Sequence, residues 1–327
     1  MRAVVAESFG GPDVLELREV ATPEVGADEV LIDVVAAGVN RADLLQRQGA
    51  YPPPPGVSEV IGLEVSGYVA ALGEGVRGWE VGQPCVALLA GGGYAERVVA
   101  PAGQLLPPPP GVDLVEAAGV LEVAATVWSN LDAAHLREGE VFLVHGGAGG
   151  IGSFAIQYAR ARGATVITTA GTEDKRTYCR ELGAHHALSY ADDWVAGVRA
   201  ATDGHGVDVV LDNMGAKYLA DHVGLLALNG RLRVIGMQGG RRATLDLGAL
   251  LGKCASVTAA SLRGRPAAEK AAICRGVGEE VWPLLEAGTI RPTPTAAYPV
   301  EEVRAAHERL ESGDNVGKIV LVVRQPT

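Results

Sequence analysis

The sequence is short of cysteine, of long apolar runs and of positive charge. Its four cysteines, Cys85, Cys179, Cys254 and Cys274, are dispersed with no C-x-x-C pair. That spacing supports neither a disulfide framework nor a cysteine-based zinc site, and it predicts free thiols in a cytoplasmic protein. No apolar run approaches the length of a membrane span, and the first residues lack a charged-then-apolar leader pattern. Basic residues number 28 against 39 acidic ones, a net charge of −11 with no basic stripe. Such a field opposes nucleic acid and anionic membranes as partners, leaving a small molecule as the expected one. An anionic cofactor would have to be held by local donors. The 327 residues are 48 % apolar, enough for two cores.

One stretch, VFLVHGGAGGIGSFAIQYARARGATVITTAG over residues 141–171, carries a legible plan. A β-branched apolar run over 141–144 reads as a buried strand. Gly147, Gly149 and Gly152 then form G-x-G-x-x-G, with Gly150, Ile151 and Gly152 opening a helix packed by small residues. A second strand follows over 165–169. Strand, turn, helix and strand in this order make a dinucleotide-binding half, with phosphates on the amides of the helix N-terminus.

Residues 1–122 read as short strands among frequent Gly and Pro, over 1–7, 14–20, 29–37, 67–72 and 83–89, as in a small barrel. From 123 to 262 strands and helices alternate. Strands are predicted over 187–190, 207–211, 230–236 and 256–262, and helices over 192–201 and 217–228, giving a parallel sheet covered on both faces. The remainder, 263–327, predicts helices over 267–287 and 300–311 and a strand over 318–323, and is expected to rejoin the first domain. The substrate cleft is then expected between the two domains.

The segments AAGVNRADLLQRQGAYPPPPG (36–56), GLEVSGYVAALGEGV (62–76) and HERLESGDNVGKIVLVV (307–323), with the glycine loop, resemble one known family. It is the zinc-independent, zeta-crystallin-like quinone oxidoreductases of the medium-chain dehydrogenase/reductase superfamily, and the likeness runs the length of the chain. The resemblance implies an α/β fold in which a doubly wound Rossmann sheet is inserted in a GroES-like β-barrel catalytic domain. It also implies NADPH-dependent reduction of quinones. Zinc-dependent members carry a cysteine where this chain has Asn40 and a histidine where it has Leu63, so no metal is expected.

The end of the second Rossmann strand decides the cofactor. Ala170 stands where NAD enzymes place an acidic residue, followed by the open backbone of Gly171 and Thr172. Lys175 and Tyr190 match relatives that meet a 2′-phosphate, or are a surface lysine and a packing aromatic. Glu173 and Asp174 are expected to face solvent. Asn40 either donates to the nicotinamide ribose or a quinone oxygen, or caps the helix over 41–48. Tyr51 is the candidate to orient substrate, and Asp43 is read as a helix residue. Thr126, at the start of a linking helix, matches a cofactor contact or is a structural hydroxyl. The resemblance alone adds Asn213, Met237, Gln238, Ser261 and Asn315 around the cofactor. His145 is read as a packed strand-end residue.

A quinone accepts hydride directly, so little acid–base chemistry is required of the protein. Reduction of α,β-unsaturated carbonyl compounds is the alternative, with Tyr51 as proton donor, and a non-catalytic NADPH-binding protein is another. A homodimer is expected through the last Rossmann strand, whose apolar edge would otherwise lie open.

Overall fold

The computed structural model describes residues 1–293 and 295–324. Its contacts divide the chain into two units, Met1–Ala125 with the chain from Leu262 onward, and Thr126–Ser261. The first unit opens on an antiparallel pair, β1 (Arg2–Ala6) and β2 (Leu15–Glu19). Strand β3 (Glu29–Val39) and helix α1 (Arg41–Arg47) follow, then β4 (Glu64–Leu72), β5 (Pro84–Leu88), β6 (Arg97–Pro101) and β7 (Leu105–Leu106). β3 is apolar enough to be buried on both faces along its second half, because it has neighbours on every side. Register shifts at Leu31/Ile32 and Val34/Ala36 re-aim its side chains against β4.

Helix α2 (Leu114–Ala117) is capped by the Asp113 carboxylate, and α3 (Leu121–Ala133) runs through the division between units. Thr126 therefore lies inside α3, not at a helix start, because the apolar Leu121 and Val123 already belong to the helix. The second unit continues with β8 (Val141–His145), α4 (Gly150–Ala161), β9 (Thr165–Ala170), α5 (Glu173–Glu181), β10 (His186–Ser189) and α6 (Trp194–Ala201). It closes with β11 (Val207–Asp212), α7 (Leu219–Leu225), β12 (Leu226–Val234), α8 (Leu247–Gly252) and β13 (Ser256–Ala259). These six strands are parallel in the order β10-β9-β8-β11-β12-β13, the doubly wound order. It reverses between β8 and β11, and ligands of such sheets bind outside the strand ends at that reversal.

Two expectations are corrected here. The helix predicted over 217–228 is a 3-10 turn (Gly215–Tyr218) followed by α7, since the apolar Leu226 and Ala227 enter the sheet instead. The last strand stops at Ala259 rather than 262. The Ala260 amide makes one more bond to Val234 O, and the chain then turns away toward Arg263, which is anchored in the first unit.

Beyond Leu262 come α9 (Ala267–Glu280), α10 (Trp282–Glu286), β14 (Thr295–Pro299), α11 (Val303–Ser312) and β15 (Lys318–Val322). In place of the single helix expected over 267–287 there are two, because Pro283 has no N–H to continue the ladder and the helix breaks at Val281. β15 pairs antiparallel with β3, Ile319 opposite Val39, and β14 adds parallel to β15. The resulting sheet runs β14-β15-β3-β4-β5-β7 with β6 also on β3. Val4, Ile32, Leu44, Val65, Val303 and Leu321 thus share one core although they come from both ends of the chain.

A buried polar triad locks β15 in place. The Lys318 ammonium lies 2.7 Å from Glu64 Oε1 and donates to Asn40 Oδ1 at 2.5 Å, while Asn40 Nδ2 donates to the same Glu64 oxygen at 3.0 Å. Glu64 Oε2 accepts from the Glu122 amide at 2.9 Å. The Lys318 and Glu64 side chains are 4 % and 1 % exposed, so removing one leaves the other charged in a dry site. Lys318→Met should cost about 3–5 kcal/mol of stability. Adding Glu64→Gln should recover most of that loss in urea unfolding, because the orphaned charge is gone.

Candidate active site

The glycine loop assigns a different task to each of its glycines. A Cβ on Gly147 would lie 2.3 Å from Thr168 Oγ1 and 2.8 Å from Cys179 Sγ, so this residue is glycine to let β9 and α5 close in. A Cβ on Gly152 would lie 2.2 Å from Gly146 O and 2.6 Å from Gly147 Cα, so it is glycine to let α4 pack on the loop. Gly149 is different. Its Cβ would meet only Gly146 O, at 3.4 Å, and at Gly171 it would meet nothing within 4 Å. The protein itself leaves these two places open. Gly149 is the N-cap of α4, and the first-turn amides of Gly150, Ile151 and Gly152 have no acceptor within their own helix. Open backbone beside amides at a positive dipole end is a cradle for phosphate oxygens.

At the end of β9, Ala170 is buried and Gly171 and Thr172 are exposed. Thr172 caps α5, its hydroxyl accepting from the Lys175 amide at 3.3 Å, which sets Lys175 in the first turn, half-buried. Glu173 is answered within its own helix, by Arg176 at 2.6 Å and by Arg180. Its charge is therefore offset by two guanidiniums. Tyr190 follows β10 with a partly exposed ring, and burial raises the pKa of its hydroxyl, which bonds to Thr169 and to the Gly146 backbone. The hydroxyl is turned toward the glycine loop, beside the place proposed for the cofactor phosphates.

The loops after β11 and β12 complete this rim. Asn213 Nδ2 donates to His145 O at 3.3 Å, and the Gln238 amide donates to Asn213 O at 3.2 Å. Asn213 Oδ1 is buried without a partner, an acceptor waiting for a donor. Met237 and Gln238 are exposed beside it. Gly146, Tyr190, Asn213, Met237 and Gln238 are thus brought together at the C-terminal ends of the strands. Thr126 is nearly buried in α3, with its carbonyl accepting from Asn130, and Ser261 is exposed beyond β13.

Beneath the rim lies a polar chain with little signal in the sequence. His145 Nδ1 meets Thr169 Oγ1 at 2.8 Å, and His145 Nε2 meets His222 Nε2 at 2.7 Å, so the two rings share one hydrogen. His222 Nδ1 faces Asp212 at 3.7 Å, and Asp212 accepts from the Met214 amide at 2.7 Å and the Gly215 amide. Burial lowers the pKa of His145 to about 3 and of His222 to about 4, and raises that of Asp212 to about 6. Both rings are therefore neutral at pH 7.

In the first unit Asn40 begins α1, and its side chain is committed to Glu64 and Lys318. Asp43 is fully buried, accepting from the Asn40 amide at 2.7 Å and the Tyr94 hydroxyl at 3.0 Å, and burial raises its pKa to about 7. Tyr51 is half-buried, and the Arg263 guanidinium stands 5.2 Å from its ring centroid. Asn315 Nδ2 donates to Gly317 O at 3.0 Å, so its side chain serves the turn before β15. Lys318, Glu64 and Arg263 were not singled out by sequence. Each acts through partners distant in the chain.

Comparison with known proteins agrees with this geometry. Residues 26–110 match the profile of the alcohol dehydrogenase GroES-like domain and 150–275 that of zinc-binding dehydrogenases. Residues 115–172 also match a YspA, cpYpsA-related SLOG family profile. The Escherichia coli quinone oxidoreductase, solved in complex with NADPH, has a TM-score of 0.90 at 29 % identity, covering 99 % of this chain and 100 % of its own. A Burkholderia 2-haloacrylate reductase is 32 % identical over 98 % of both chains. The rat quinone oxidoreductase is 30 % identical over 99 % of this chain and 98 % of its own length. The chain belongs to the zinc-independent quinone oxidoreductases of the medium-chain dehydrogenase/reductase superfamily. In this quinone oxidoreductase the ammonium of Lys318 already sits against Asn40, at the position that zinc-dependent relatives give to a cysteine ligand. Leu63, at their histidine position, is buried. Among the described residues no group of three or more His, Cys, Asp or Glu side chains is placed to hold a metal ion.

The two kinds of glycine predict opposite outcomes. Gly152→Ala drives a methyl into loop backbone and should cost about 1–3 kcal/mol in thermal unfolding. Gly149→Ala has room and should stay within about 0.5 kcal/mol of the parent. It should nonetheless weaken dinucleotide binding at least roughly tenfold by fluorescence titration, about 1.4 kcal/mol.

Proposed function

We propose that this protein is an NADPH-dependent quinone oxidoreductase that works without a metal. The observation that carries the reading is the cradle: open backbone at Gly149 and Gly171, the unpartnered Asn213 Oδ1, and a β9 end that bears no carboxylate at Ala170. The amides of Gly150, Ile151 and Gly152 hold the pyrophosphate. Lys175 brings a positive charge to the 2′-phosphate, and the pairing of Glu173 with Arg176 and Arg180 keeps negative charge from that place. Asn213, Met237 and Gln238 serve the nicotinamide end, with Thr126, Ser261 and Asn315 as further contacts that the family resemblance supports. NADPH, when bound, supplies a hydride. Tyr51 orients the quinone ring, and Asn40, fixed by Glu64 and Lys318, shapes the site beside it. The hydroquinone anion takes its proton from water, so no buried acid is required.

Reduction of activated alkenes is the second reading, and the likeness to the 2-haloacrylate reductase favours it. It needs a proton at the α-carbon, for which Tyr51 is the candidate donor. We also propose a homodimer. β13 is an edge strand, and α8, just before it in the chain, presents Leu247 and Leu251 at 71 % and 81 % exposure, apolar side chains for a second copy to cover. The four cysteines are free and three are buried, which fits a reducing, cytoplasmic setting.

Steady-state NADPH oxidation against quinones, enones and enals tests the activity. Tyr51→Phe should slow quinones only modestly, but should slow alkenes roughly a hundredfold if it is their general acid. Lys175→Ala should weaken NADPH roughly ten- to hundredfold and leave NADH nearly unchanged, the scale of one charge-assisted hydrogen bond. Unchanged NADPH affinity would show that the phosphate lies elsewhere. Sedimentation should give a dimer at micromolar protein, and Leu251→Glu should shift it to monomer.

A further inference from the structure

Arg263 is a buried cation with no ion-pair partner among the described residues; Asp43, whose pKa burial raises to about 7, acts on it only at longer range. The residue is 5 % exposed, yet its guanidinium donates only to neutral acceptors. Nε donates to Ala90 O at 2.6 Å, Nη1 to Tyr51 O at 3.1 Å and Nη2 to Gln46 Oε1 at 2.6 Å. Gln46 is itself held by donating to Glu59 O at 2.9 Å. Lys270, on α9, is 6 % exposed, and burial together with the charge of Arg263 lowers its pKa. Among the described residues neither cation forms an ion pair, whereas the buried Lys318 pairs with Glu64 and the buried Arg47 with Glu311. Two like charges that repel, both buried, make a positive field that Asp43, with its raised pKa, offsets only in part. That field is centred beside Tyr51, whose ring lies 5.2 Å from the guanidinium.

Such a field favours any anion that forms next to it. We propose that Arg263, backed by Lys270, is a positioning residue that stabilises the oxyanion developing on the substrate beside Tyr51 during reduction. This rests on the reductase reading above. Hydride from NADPH adds two electrons and a proton to the acceptor. A quinone then becomes a hydroquinone monoanion and an enone becomes an enolate, each with negative charge on oxygen until it is protonated, the first by water and the second at its α-carbon by Tyr51. The neutral acceptor gains little from the cations and the anion gains much, so the field acts on the transition state more than on binding. The substrate class that follows is an acceptor whose reduced form is an oxyanion, and weak acceptors need the field most.

Two measurements on the cofactor-loaded protein test this. The first needs no turnover: 4-nitrophenol is titrated with pH in the bound state, its ionisation read from its own absorbance. The parent should bind the phenolate in preference, lowering the apparent pKa by about one unit, tenfold in ionisation. Arg263→Gln should abolish that preference, and Arg263→Lys should restore it. The second follows NADPH oxidation with para-benzoquinones of graded electron-withdrawing substituents. Arg263→Gln should slow the poorest acceptors roughly a hundredfold and the best less than tenfold. Lys270→Met, which leaves the contacts to Tyr51 and Gln46 in place, should give a smaller loss with the same gradation. It also stands in should Arg263→Gln not fold. A uniform loss across the series would mark Arg263 as structural and overturn the proposal. So would the absence of phenolate preference in the parent, or its persistence in Arg263→Gln. A parent that reduces no quinone but retains an Arg263-dependent phenolate preference would refute the quinone reading alone.

Discussion

Lys318 carries its charge into a place that water does not reach, and the first unit is arranged so that this charge is answered. Glu64 at the start of β4 supplies the counter-charge, and Asn40 at the N-terminus of α1 supplies a further acceptor. From Asn40 the polar contacts continue without a break. Asp43 accepts from its amide, Tyr94 donates to Asp43, and His307 lies 3.3 Å from the Tyr94 hydroxyl. Arg47 reaches His307 at 3.4 Å and Glu311 at 2.9 Å. Burial lowers the pKa of His307 to about 3, so its ring is neutral, accepting from Arg47 on one side and donating to Tyr94 on the other. A chain this long and this dry, with Asp43 Oδ1 its one buried polar side-chain atom left without a partner among the described residues, restricts how α1 and α11 can sit against the strands.

The second unit has its own buried polar cluster, with Thr169, His145 and His222 hydrogen-bonded in turn, Asp212 bonded to the amides beyond β11, and His222 Nδ1 3.7 Å from Asp212. It ties two loops of the cradle together from below. Fixed donors held by such a scaffold need not reorganise when a charged ligand arrives, which is why a protein of net charge −11 can still build a site for phosphates.

The Rossmann unit was legible because two periods and a glycine spacing all point the same way between 141 and 171. Helix ends were less legible. Leu226 and Ala227 are as apolar in a strand as in a helix, and only the sheet decides between them. β6 and β14, each five residues ending in proline, are too short to display a period. At the site, Ala170, Lys175 and the glycines could be read locally. The neutralisation of Glu173 by Arg176 sits at i,i+3 spacing and was in principle readable too. Arg263 was not, since its acceptors are mostly backbone carbonyls from separate loops, and no side-chain pattern encodes them. The inward turn of the Tyr190 hydroxyl likewise depends on where Gly146 and Thr169 meet in space.

The position of β15 has a consequence for how the polypeptide folds. The stretch Ala36–Val39 of β3 pairs with Ile319–Val322, and Asn40 is separated from its partner Lys318 by 278 residues. The intervening unit, Thr126–Ser261, holds all six strands of its own sheet and needs no residue from outside it for that pairing. Pairing across so long a stretch of chain has to bear a large loop-closure entropy before its contacts reward it, so β3 with β15 is the slow kind of contact and the inserted sheet the faster one.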